Sequence, residues 1–293
     1  MLRIFAILGI IGGLSVLAAH MPASMQVADV TWPWDVVRSQ TTASYPISAS
    51  GVLQISNSSG DVYVTGSSES TLEVTVKKSA KNHDDLNALS ANVASAPVGI
   101  SITTDYPNHC SSCDVSYEIR VPRGVKVVVD DDSGDVHIKG TDGLIDVSES
   151  SGDVRLEDDT GAMNVSDSSG DVRLIDVTGS ARVKSSSGEI KASGLTKNVD
   201  FYAASGDVTA KFSSFNGVDT VRMRTSSGSI TLDVPRSFDA RITATTDSGS
   251  LDSNLKLPIR DHDSGADLSV AVGSGKTTVN LVATSGDISI NGE

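Results

Sequence analysis

The residues in this chain best suited to chemistry form a regular series of carboxylates. Asp135, Asp153, Asp171, Glu189 and Asp207 each follow a Ser-Gly pair, and successive members stand 18 residues apart. If equivalent positions stack, Asp135, Asp153, Asp171 and Asp207 become candidate Ca²⁺ ligands, because that ion takes several oxygen donors. Further acids lie at Asp130, Asp131, Asp132, Glu157, Asp158 and Asp159. A purely structural reading competes and is preferred. Two places after the acids come His137, Arg155, Arg173, Lys191 and Thr209, so most acidic rungs carry a basic neighbour that offsets repulsion. The Gly-Gly-x-Gly-x-Asp nonapeptide of calcium-binding β-rolls is also absent. No metal is assigned on this basis, and no cofactor is expected.

Cys110 and Cys113, in His109-Cys110-Ser111-Ser112-Cys113, are the only cysteines. A redox-active pair usually opens a helix, whose dipole lowers a thiol pKa, whereas Asp114 to Val121 alternates as a strand. A local disulfide pinning a loop is the expectation, and a metal site with His109 would need a further ligand that the sequence does not identify. Val272-Gly273-Ser274-Gly275-Lys276-Thr277 lacks the glycine spacing of a phosphate-binding loop. His262, between Asp261 and Asp263, is the one position where an irregular stretch could host acid–base chemistry, and an exposed histidine without a role is the preferred reading. No catalytic residue is assigned.

These side chains must be positioned by repeats. The glycines 134, 152, 170, 188 and 206 are separated by four steps of 18, and Gly143, Gly161 and Gly179 keep the same step. Further copies are Ser59-Gly60-Asp61, Ser227-Gly228-Ser229, Ser248-Gly249-Ser250 and Ser285-Gly286-Asp287. Apolar residues follow the glycine at two and four places (Val154 and Leu156) and again at eleven and thirteen (Met163 and Val165). That alternation predicts two short strands per repeat. One such unit cannot bury its apolar face alone, so the units must stack. The expected fold is an all-β, single-stranded β-solenoid with 18-residue coils, and the glycine supplies the positive φ of each corner. Leu86, Leu89 and Val93 predict one short helical insertion within Asn82 to Ala94. The step of 74 residues from Gly60 to Gly134 is close to four periods, and this stretch is expected to hold irregular coils. We divide the chain into residues 1–28 as a signal peptide or N-terminal anchor, 29–46 as a linker or cap containing Trp32-Pro33-Trp34, and a solenoid over 47–293. The solenoid has irregular coils at 47–130, regular coils at 131–210 and degraded coils at 211–293.

Arg3 precedes an apolar stretch from Ile4 to Ala19 that is shorter than the ~20 residues of a spanning helix. This reads as a secretory signal rather than a retained anchor and predicts export to the periplasm, cell envelope or exterior. The net charge of -14 argues against a nucleic-acid partner, and an aromatic content of 4% argues against stacking platforms.

Tyr117-Glu118-Ile119-Arg120-Val121-Pro122, leading into Val125 to Val129 and then serial Ser-Gly-Asp-Val-x-Leu coils, resembles the bacterial "putative adhesin" domain of unknown function. The resemblance covers roughly Ile47 to Ile290. It implies an exported β-solenoid and supplies no catalytic residues. The expected role is a non-catalytic, adhesin-like envelope scaffold presenting side-chain ladders to a cell-surface protein or polysaccharide. The alternatives are a polysaccharide lyase or hydrolase on a β-helix scaffold and an envelope-stress signalling component. Membrane contact is expected only through a retained N-terminal segment. End-to-end self-association is expected through the strand Asp287 to Ile290, which precedes the chain end.

Overall fold

The computed structural model describes residues 26–31 (backbone), 36–96, 98–110 and 112–293. Arg3, the apolar segment Ile4 to Ala19 and Trp32-Pro33-Trp34 lie outside the described residues. Among those described, no helix is long and apolar enough to cross a membrane.

Among the described residues two sheets of 13 strands each lie face to face, parallel through the stacked coils and antiparallel at their ends. In the regular region each 18-residue coil gives one strand to each sheet, as Val154–Glu157 does in the first and Met163–Ser169 in the second. Equivalent residues of successive coils pair directly. Val136, Val154, Val172, Ile190 and Val208 form one inward column, and Ile145, Met163, Ala181 and Val199 form another. All are buried. Burying such a side chain stabilises by ~1.5–3 kcal/mol, but only when the neighbouring coil covers its flank. The period therefore builds the β-solenoid that its alternation predicts.

The two ends depart from chain order. The coil Val52–Asn57 and Val62–Ser67 packs directly on Lys126–Asp131 and Val136–Lys139, so Gly60 donates its N–H to Ser133 O at 3.0 Å although the two are far apart in the chain. The intervening residues do not form four irregular coils. They form one coil, Gly99–Asp105 with Asp114–Pro122, stacked on the far side of Val52–Ser67. The strands Val37–Pro46, Thr71–Ala80 and Ser90–Ala96 then close that end by antiparallel pairing. The segment expected to be a linker or cap thus contributes Val37–Pro46 to the closing sheet. Thr277–Ser285 and Ile288–Gly292 likewise insert between the coil Thr220–Val234 and the coil Ala240–Ser253. The last strand is paired on both sides, which corrects the expectation of an open edge at Asp287 to Ile290. Ten coils stack among the described residues.

The helix is shorter than its spacing predicts and covers His83–Ala88. Asn82 caps it by accepting the Asp85 N–H at 2.8 Å. Leu89 then turns extended, and Ser90–Ala96 pairs antiparallel with Gly99–Asp105. Pairing gives this segment the backbone partners of one sheet edge, which two further helical turns would forgo.

Candidate functional site

Each Ser-Gly-Asp unit is the corner at which the chain crosses from the second sheet to the first. At Gly152 φ is +158°, and its N–H reaches Ser169 O at 3.1 Å. The following aspartate explains the acidic series. Asp135 Oδ1 accepts the N–H of Asp153 at 3.0 Å, Asp153 Oδ1 that of Asp171 at 2.9 Å, and Asp171 Oδ1 that of Glu189 at 2.9 Å. Asp207 Oδ1 accepts the N–H of Ser229 at 2.8 Å, and Asp287 Oδ1 that of Ser250 at 2.7 Å. The column thus ties backbone to side chain from coil to coil. Arg173 also bridges Asp153 and Asp171, at 3.2 and 2.8 Å. Among the described residues no group of three acidic, histidine or cysteine side chains converges as a metal centre would require. The amide-acceptor role predicts that Asp153→Ala costs about 1 kcal/mol in a denaturant titration, while Asp153→Asn, which keeps a carbonyl acceptor, stays near wild type. Equal losses for both variants would mean that the negative charge, not the acceptor, matters there.

Sequence reasoning missed a second acidic column, three residues before the corner glycine. Asp131, Glu149 and Asp167 occupy successive rungs, paired one above another, and are 1%, 3% and 3% exposed. They continue the inward parity of Val127 and Val129, Ile145 and Val147, and Met163 and Val165. Extending the alternation by one step would have found them. Among the described residues, no donor is in hydrogen-bonding geometry with either carboxylate oxygen of Asp131, with Oε2 of Glu149 or with Oδ1 of Asp167. Glu149 Oε1 accepts the amides of Ser150 and Ser151 at 3.2 and 3.0 Å, and Ser185 donates to Asp167 Oδ2 at 3.3 Å. Asn57 flanks the column on one side and Ser185 on the other.

Loss of solvation pushes the Asp131 carboxyl up to about 7, Glu149 to about 8 and Asp167 to about 6. The charges of Asp132 on Asp131, of Asp131 and Asp167 on Glu149, and of Asp153 on Asp167 add to the rise. Nearby amide donors oppose it only in part. At the opposite corner Asp159 is fully buried and raised to about 6 by burial, although it accepts from the Thr141 N–H and hydroxyl at 2.7 and 2.9 Å.

The other candidates lie apart from these columns. Cys110 and Cys113 are joined by a disulfide in the loop between Gly99–Asp105 and Asp114–Pro122, and His109 is exposed beside it. His262 is exposed and pairs with Asp267. The glycine loop at 273–275 is already filled by a carboxylate, since Asp239 accepts from Ser274 Oγ at 2.6 Å and from the Lys276 N–H at 2.9 Å.

The two outer faces differ in charge. On the first sheet Arg155, Lys139 and His137 converge on Glu157 and Arg173 joins two aspartates, while Arg120 and Lys191 stand singly without an ion pair among the described residues. Burial would raise Glu157, but hydrogen bonds from Arg155, Lys139 and His137 outweigh it and hold the carboxyl at about 2. On the second sheet three adjacent rungs expose Arg182 and Lys184, then Tyr202, then Arg222 and Arg224. Asp200 is the one acid among these positions and meets Arg182 at 3.6 Å and Arg224 at 3.1 Å.

These features define a two-sheet β-solenoid whose coils are locked by a carboxylate column at one corner. The chain matches the Toastrack DUF4097 family over residues 52–291 and belongs to it. Among solved structures, a "putative adhesin" from Bacteroides fragilis is 16% identical, with 87% of this chain and 97% of that one covered and a TM-score of 0.48. A "putative lipid binding protein" from Parabacteroides distasonis is 14% identical, covering 85% and 96%, with a TM-score of 0.45. A "putative adhesin" from Parabacteroides merdae is 12% identical, covering 86% and 95%, with a TM-score of 0.37. No curated protein matches the chain.

Proposed function

We propose that this protein is an exported, non-catalytic envelope scaffold that presents its side-chain ladders to a cell-surface protein or polysaccharide. The observation that carries the reading is the continuity of the sheet faces. Outward residues recur in register from rung to rung, at the ~4.8 Å strand spacing, which suits an extended or repeating partner. Arg3 with the apolar segment Ile4 to Ala19 supports export, and the Cys110–Cys113 disulfide fits an oxidising compartment. Asp135, Asp153, Asp171 and Asp207 are spent on holding coils together, and the His262–Asp267 pair stands alone.

Expression of the full chain in a bacterial host, followed by fractionation, is expected to place it outside the cytoplasm with the N-terminal segment removed. The purified protein is then expected to be retained saturably on isolated envelopes. Retention of an unprocessed chain in the cytosol would overturn the export, and release of shortened saccharides from the envelopes would replace the scaffold with an enzyme.

A further inference from the structure

We propose that the second sheet's outer face, at the rungs Ala181–Ser187, Val199–Ser205 and Thr220–Ser227, is a binding site for a linear anionic polysaccharide. This deepens the scaffold reading and rests on it. The register aligns Arg182, Asp200 and Arg222 in one column and Lys184, Tyr202 and Arg224 in the next. Four cations and one carboxylate leave a local charge of about +3 on a chain whose net charge is -14. Lys184 and Arg222 form no ion pair among the described residues, and Asp200 is shared by the other two cations. The flanking rungs carry Asn164 and Ser166 on one side and Asn280 and Val282 on the other, so the positive field is bounded by uncharged side chains.

The geometry favours a chain of repeating charge. At ~4.8 Å per rung, Arg182 and Arg222 lie about 10 Å apart, as do Lys184 and Arg224, in two parallel rows. Arginine forks match carboxylate, sulfate and phosphate oxygens in pairs. Tyr202, 37% exposed between the two cations of its column, offers an apolar ring with a polar tip against which a sugar face can pack. On the first sheet's face Arg155 and Arg173 are already neutralised, and the unpaired Arg120 and Lys191 stand on separate rungs without a second free cation beside them.

The test uses the full-length protein with polygalacturonate and dextran sulfate as carboxylate and sulfate probes, neutral dextran as control, and phosphatidylglycerol vesicles as the membrane arm. Both polyanions are expected to bind, with affinity falling at least tenfold as salt rises from about 0.05 to 0.5 M, since exposed charges are screened. Combined Arg182→Ser, Lys184→Ser, Arg222→Ser and Arg224→Ser is expected to lower affinity at least tenfold at an unchanged thermal midpoint. Arg222→Glu alone is expected to lower it severalfold, and Arg155→Ser with Arg173→Ser, on the other face, to leave it unchanged. Wild-type binding by the quadruple variant overturns the proposal, as does binding to vesicles but not polymers. Envelope retention without polyanion binding removes this inference and leaves the scaffold standing. Loss of envelope retention removes both.

Discussion

Raising the pH from 5 to 9 is expected to lower the thermal midpoint by on the order of 10 °C, with the loss centred on the coils between residues 126 and 187. The cause is the buried column Asp131, Glu149 and Asp167, whose folded pKa values of about 7, 8 and 6 all lie above those of the unfolded chain. Between about pH 4 and 8 the native state therefore holds more protons than the unfolded state, and stability falls as pH rises. The contribution is fully present below the unfolded pKa and is lost through the folded values. Each pKa unit corresponds to about 1.4 kcal/mol, but carboxylates on adjacent rungs titrate as a coupled set, so a few kcal/mol in total is expected rather than the sum. Asp131 faces Asn57, Asp132, Tyr106, Tyr117 and Glu149; Glu149 faces Asp131 and Asp167; Asp167 faces Ser185 and Asp153. None of these is a cation that could hold the ionised forms in place. Glu157 works in the opposite sense. Its pKa of about 2 makes its contribution present above the unfolded value and lost as the pH falls toward 2. Combined Asp131→Asn, Glu149→Gln and Asp167→Asn is expected to flatten the alkaline limb and raise the midpoint at pH 9. A wild-type midpoint that is flat from pH 5 to 9, or a variant with an unchanged slope, would remove the column from this role. Hydrogen exchange of residues 126–187 at both pH values locates the effect.

Gly161→Ala is expected to cost more than 3 kcal/mol, or to prevent folding, whereas Gly140→Ala is expected to cost about 1–2 kcal/mol. The two separate the demands that stacking makes on glycine. A Cβ on Gly161 would lie 1.7 Å from the carbonyl oxygen of Gly143 one coil away, and the Gly161 φ is not positive, so space alone forbids it. At Gly140 φ is +68°, but a Cβ would come no nearer than 3.8 Å to the Arg123 guanidinium, so only backbone strain is added. Gly152 combines both, with φ at +158° and a Cβ position 1.9 Å from Gly134 O. Denaturant midpoints measure the difference. Equal losses at Gly140 and Gly161 would mean that backbone conformation, not coil-to-coil approach, sets the glycine requirement.

Much of the architecture was legible because its causes are local. Val154 and Leu156, then Met163 and Val165, alternate within a few residues, and the step of 18 repeats the pattern until only stacked coils can cover it. The candidate sites were less legible. Asp135 to Asp207 stood out by spacing, yet whether a carboxylate meets an ion or an amide depends on the next coil. Asp131, Glu149 and Asp167 follow inward parity, but acids at such positions read as surface residues until burial is seen. Arg182 and Arg224 read as ordinary surface charge until the parallel register sets them beside Asp200, with Lys184 and Arg222 left unpaired.

By itself, then, the sequence determined the strand alternation, the coil length and the positions of the corners, all of which follow from residue-by-residue sterics and apolar periodicity. Tertiary structure alone decided which coils are neighbours. Val52–Ser67 inserts before Lys126–Lys139, and the C-terminal coil inserts before Ala240–Ser253, because a strand pairs with whichever matching edge buries its inward face, however distant in the chain. It also decided which carboxylates lose water and which cations stay free, since both depend on what the neighbouring rung places within a few ångströms.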